Sequence, residues 1–194
     1  PSPMFVLGYV MAQIRVIPGI AASCPLWAVA AALYLPILPI SILARNCYHY
    51  KRKDYPVSDK KDSGEYPFSF DEHMMGCFET MTKIGGYIML FSILALYLTV
   101  FPFQTPPLVR PALLGAVEIT TGIQAIAASV PGFPAAVLIA AATAFGGFSG
   151  IFQTKSVLKN AGLSIRHYIL WKALHSLITC ILLLGLQSLL LICG

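Results

Sequence analysis

Glu118 is a carboxylate set within an apolar run, GAVEITTG, with Leu113 and Leu114 before it and Ile119, Ile123 and Ile126 after it. An ionised carboxylate at bilayer depth costs about 2.5–3.5 kcal/mol on insertion scales. It is tolerated where it faces a cavity, takes up a proton or meets a cation. If the segment is helical, Glu118, Thr121 and Gly122 share a face beside Thr120, and Gly115 and Gly122 leave the backbone free to open toward a substrate or ion. The competing reading is a carboxyl bonded to Thr120 or Thr121 that ties helices together.

A second constellation is AFGGFSGIFQTKS, in which Gly146, Gly147, Ser149 and Gln153 stand close together. The spacing of Gly146 and Gly150 suits close helix packing. The functional alternative sets this glycine-rich end opposite Glu118, with Ser149 and Gln153 as neutral hydrogen-bond partners. No phosphate-loop pattern is present. Arg15 is expected to snorkel from a span end, and His175, one turn from Trp171 and Lys172, to serve as an interfacial anchor more readily than as a proton relay.

Little else offers chemistry. Cys24, Cys47, Cys77, Cys180 and Cys193 show no CxxC, and His49, His73, His167 and His175 show no ligand spacing. No HExxH, GxSxG or GxGxxG appears. The expectation is a protein that is not an enzyme, with no catalytic residue, metal or cofactor.

These residues are carried by apolar elements. With 57% hydrophobic and 11% charged residues and a mean hydropathy of +0.76, the chain lacks the polar surface of a soluble domain. Its formal net charge of +5 lies in loops beside apolar spans, which argues for membrane topology and against nucleic acid. The fold class is all-α, a polytopic integral membrane protein, multi-pass in the cell membrane.

Residues 1–44 read as two transmembrane helices, or one broken pair, kinked at Pro36 and Pro39. Residues 45–83 read as a charged cytoplasmic loop, followed by a clean span from Ile84 to Phe103 and a turn at Gln104-Thr105-Pro106-Pro107. Leu113 to Val130 and Ala135 to Gly150 follow, then a basic segment, KSVLKNAGLSIRH, suited to a short interfacial helix, and a final span over 169–193. Two full crossings between Leu113 and Gly150 would put that basic segment outside, against the lysine and arginine rule. The conflict disappears if 113–130 is a broken segment that enters and leaves by one face. The expected architecture is about five transmembrane helices plus one re-entrant segment.

The runs GGYIMLFSILALYL, LLGAVEITTGIQAI and AFGGFSGIFQTKSVLKNAGLSIRHYIL resemble the C-terminal half of the YlbJ sporulation integral membrane proteins, which group with the nucleoside-recognition, or Gate, domain proteins. The resemblance covers 84–194 as a Gate-like half and is sharpest over Leu113 to His175. It implies a sporulation-associated protein, a solute transporter or transporter component of undefined substrate, with Glu118, Thr120, Gly122, Gly146, Gly147, Ser149 and Gln153 in the matched motifs. Arg15 and the charged loop have no counterpart in that likeness.

The chain opens at Pro1 on an apolar stretch and is expected to be a piece of a longer protein. Expected partners are the lipid bilayer, a small solute or ion bound by Glu118, Thr120, Thr121, Gly122, Gly146, Gly147, Ser149 and Gln153, and a second copy or N-terminal half of the same protein. A different class stays open beside transport: a non-transporting scaffold for spore envelope assembly that docks through its charged loop.

Overall fold

A computed structural model of the chain describes residues 1–20, 24–47, 69–101, 106–158 and 164–193, and every regular element among them is helical. The chain starts with three consecutive stretches, Pro3–Phe5, Val6–Val10 and Met11–Arg15, taken together as α1. The middle stretch is π-helical and carries Tyr9. Ser2 caps α1, its hydroxyl accepting from the Phe5 amide at 3.2 Å, and Pro3 sits where a missing N–H costs nothing.

α2 (Leu26–Tyr34) and α3 (Ile37–Cys47) are separated at Leu35 and Pro36. Proline cannot donate to the helical ladder, so the interruption falls at Pro36, whereas Pro39 is carried within α3. α4 (Phe70–Val100) starts at Ser69, whose hydroxyl accepts from the Glu72 amide at 3.3 Å, with Asp71 and Glu72 at the positive end of the helix. α5 (Val109–Val117) and α6 (Ile119–Ser129) meet at Glu118. α7 (Gly132–Phe145) and α8 (Gly147–Val157) meet at Gly146, and α9 (Ile165–Cys193) closes the fold.

Four stretches among the described residues are long and apolar enough to cross a membrane: Leu26–Cys47, Phe70–Val100, Gly132–Val157 and Ile165–Ile192. α1 is not one of them. At thirteen residues it is roughly 20 Å long, against a hydrocarbon core of about 30 Å. Two expected boundaries shift as well. Phe70 to Lys83, assigned to the loop, continues α4, where Glu79 and Lys83 pair one turn apart. The last helix begins at Ile165 rather than 169 because Ser164 already supplies the carbonyl for Tyr168. Most of the charged loop (48–68), the middle of the basic segment (159–163) and Gln104 with Thr105 lie outside the described residues.

The largest apolar cluster joins α1, α2, α6 and α7, with Leu183 from α9. Val10, Ile14, Val29, Leu33, Ile123 and Ile139 are all fully buried there. α3 contributes no buried residue and α4 contributes Ala95. The periphery instead exposes large side chains such as Leu38, Met89, Leu96 and Tyr97, a surface that suits hydrocarbon and would be costly in water. The interrupted helices therefore sit near the centre, and the long unbroken α4 lies outside.

Candidate functional site: where two helix breaks meet

The first break is made by Glu118. Its backbone is extended (φ −142°, ψ 124°), which stops α5 and starts α6. Its amide donates to the Leu114 carbonyl at 2.9 Å, and its carbonyl accepts from the Gly122 amide at 3.0 Å. The side chain, 2% exposed, accepts from the Thr120 amide at 3.1 Å, the Thr121 amide at 2.7 Å and the Thr120 hydroxyl at 2.6 Å. A carboxylate there satisfies orphan donors of α6 and sits at the positive end of its dipole.

α5 and α6 run antiparallel as a hairpin with Glu118 at its tip. A Cβ placed on Gly122 would lie 2.1 Å from the Gly115 Cα, nearer than two carbons can approach. Farther from the tip, Leu114 packs with Ala125, and Pro111 and Ser129 line one cleft. Arg110 fastens the open end, donating to the Leu98 carbonyl at 3.2 Å and the Phe101 carbonyl at 3.4 Å. This corrects the role expected of the two glycines. They do not open the backbone; they let two helices touch, and the backbone opens at Glu118 itself.

The second break has a different origin. Gly146 (φ 84°) and Gly147 (φ 68°) are both left-handed, a conformation that glycine adopts without strain. The Gly146 amide still donates to the Ala142 carbonyl at 2.8 Å, and no side chain caps α8. A Cβ on Gly147 would lie 3.4 Å from the Ala116 and Val117 carbonyl oxygens and the Ile119 nitrogen. The glycine step of one broken helix thus rests against the carboxylate break of the other.

α9 supplies a third wall. The Lys172 Nζ donates to the Ala144 carbonyl at 3.2 Å, and the Ser176 hydroxyl donates to the Ala141 carbonyl at 3.0 Å. Ala144 lies in the last turn of α7, where the break leaves carbonyls without helical donors, and Ala141 lies about one turn earlier. Lys172 also reaches the glycine step, 3.6 Å from where a Gly146 Cβ would stand. His175 is buried with Nε2 2.9 Å from the Leu33 carbonyl, so its ring packs between α9 and α2. From α1, the Tyr9 hydroxyl donates to the Thr120 carbonyl at 2.9 Å.

Two spaces adjoin this arrangement. An apolar cavity of about 180 Å³ lies between α5, α7 and α9, bordered by Ala112, Ala116, Ala142, Phe145 and Ser176. A cleft of about 240 Å³ runs between α3 and α9 and is bordered by Pro1, Ile37, Ser41, Tyr168, Lys172 and His175. No known family, curated protein or solved structure matches the chain.

Of the residues expected to form a site, Glu118, Thr120 and Thr121 come together at one break, Gly146 and Gly147 form the other, and Gly122 braces the hairpin. Ser149 is buried but accepts from the Gln153 amide nitrogen at 2.8 Å, so these two serve each other along α8. Gly150 meets nothing that a Cβ would touch, so the expected Gly146 and Gly150 packing pair is not used. Arg15 is exposed in the last turn of α1 and makes no ion pair with Glu118.

Lys172 and Tyr9 join the site without having been expected there. In the sequence Lys172 stands out only as a neighbour of His175, yet Tyr168, Lys172, His175, Ser176 and Thr179 recur at helical spacing and mark one face of α9. That signal was present. Tyr9 gave none, because its partner is a backbone carbonyl 111 residues away.

Proposed function

We propose that this chain is part of an integral membrane solute carrier whose binding site is the junction of the two helix breaks. The single observation that carries the reading is the contact of Gly147 with Ala116, Val117 and Ile119 on either side of Glu118. Interrupted helices whose free ends converge inside a bundle are how membrane transporters expose backbone donors and acceptors to a solute. Irregular backbone at membrane depth is tolerated where it is buried in protein or lines a cavity. The likeness to the YlbJ family extends this reading to sporulation, the cell membrane and an undefined substrate.

The proposed topology has four crossings and one re-entrant hairpin, α5 and α6, entering from the face opposite the charged loop. The two segments rich in lysine and arginine, 45–61 and 155–166, then share a face, as the charge rule asks. The count is one fewer than the five crossings expected, because α1 spans only part of the depth.

The test is uptake by proteoliposomes of the reconstituted chain, offered a panel of radiolabelled nucleosides, amino acids and carboxylic acids. Uptake should be found for at least one solute and be abolished by Glu118→Gln, with insertion unchanged. Equal uptake by the variant would sink the reading. One observation favours the scaffold alternative: every hydrogen bond to the Glu118 carboxylate comes from Thr120 or Thr121, the next turn of the same chain. On that reading Glu118→Gln is silent, and shortening 57–71 is what abolishes function.

A further inference from the structure

Interrupted helices in carriers present a carbonyl end as well as an amide end, and the carbonyl end is where a coupling cation is bound. The carbonyl end of α7, at Ala144 and Gly146, is already filled here. Lys172 reaches it from α9 and donates to the Ala144 oxygen at 3.2 Å, beside the left-handed glycine step. Ser176, one turn on, holds the Ala141 oxygen at 3.0 Å. Lys172 makes no ion pair with a carboxylate among the described residues. Its counter-charge is the negative end of the α7 dipole.

Two features make this more than a helix cap. Lys172 lies seven residues into α9, roughly 10 Å from its start, within a stretch apolar enough to cross a membrane, where an ionisable side chain marks function by default. It also borders the cleft between α3 and α9 together with Ser41, so the side chain that holds the buried Ala144 carbonyl is itself reached from that cleft.

We infer that Lys172 is a built-in cation, its ammonium standing where a free monovalent cation would otherwise bind at the broken end of α7. The proposed carrier therefore needs no sodium ion to organise this break. The inference rests on the solute-site reading for its meaning, but its first test does not require transport.

The full chain, purified in detergent, is melted in sodium, potassium and N-methylglucamine chloride at equal ionic strength. The wild type should give the same Tm in all three. Lys172→Ala should have a lowered Tm in N-methylglucamine, and sodium should restore at least half of the loss in a saturable way. Lys172→Met keeps the packing of the stem without the charge and should show the same rescue if the alanine variant does not fold. Saturable sodium stabilisation of the wild type would overturn the inference, as would a variant no more sensitive to sodium than the wild type. In proteoliposomes, wild-type uptake should persist without a sodium gradient, and Lys172→Ala uptake should come to require sodium. Failure of Glu118→Gln to reduce uptake would instead remove the solute site and leave the melting result standing.

Discussion

The two helix breaks touch each other but are made by opposite means. At Glu118 the chain leaves the helix through an ordinary extended conformation, and a side chain caps the new helix three ways. At Gly146 and Gly147 the backbone alone makes the break, with two left-handed residues and no cap. The first break concentrates a negative group at an amide end, and the second receives a positive group, Lys172, at a carbonyl end. The first should therefore depend on side-chain chemistry and the second on the absence of a Cβ.

The largest effect is expected where the hairpin carrying the first break is held closed. Gly122→Val places side-chain carbon on the Gly115 backbone, and overpacking of this kind should cost about 3 kcal/mol or more. Thermal melts in detergent should show a large loss of Tm or no cooperative transition; a melt like the wild type's would mean that α5 and α6 do not pack as described. Glu118→Ala removes a helix cap and an anion at a dipole end and should cost about 2 kcal/mol. Glu118→Gln keeps an acceptor and should cost less than half of that, and equal losses would show that charge, not geometry, makes the first break.

For the second break, Gly146→Ala forces a left-handed alanine and should cost about 1–2 kcal/mol. Asn at the same position should be milder because it tolerates that region. Should the two variants melt alike, backbone freedom is not what the second break requires. Because Gly147 rests on the first break, combining Gly147→Ala with Glu118→Ala should depart from additivity by about 0.5–1 kcal/mol. An additive pair would mean that the breaks are neighbours without coupling. The smallest effect belongs to Gly150, where a Cβ meets open space. Gly150→Ala should raise stability by about 0.5 kcal/mol through helix propensity, and a loss of Tm would restore the packing role that the spacing suggests.

Much of this was legible residue by residue. The interruption at Pro36 follows from a missing amide. The apolar lengths of four spans follow from composition. Glu118, flanked by threonines inside an apolar run, announced a special position whatever the backbone did. The helical-face argument grouped Glu118 with Thr121 and Gly122 as if one helix ran through them, whereas a carboxylate that can bond the amides two and three residues on competes with the helix it interrupts. The length of α1 misled for the opposite reason: an apolar composition says that a segment is buried, not that it crosses.

The sequence by itself determined a helical fold with apolar spans, an interruption at a proline and a carboxylate and a glycine pair at two irregular points, because hydropathy, proline and glycine act locally. Only the tertiary structure decided that those two points meet, that Gly115 and Gly122 hold a hairpin, and that Lys172 belongs to the second break. Each of these is a contact between segments far apart in the chain or reversed on one another. Contacts of that kind are set by how helices pack, and no spacing along a single helix encodes them.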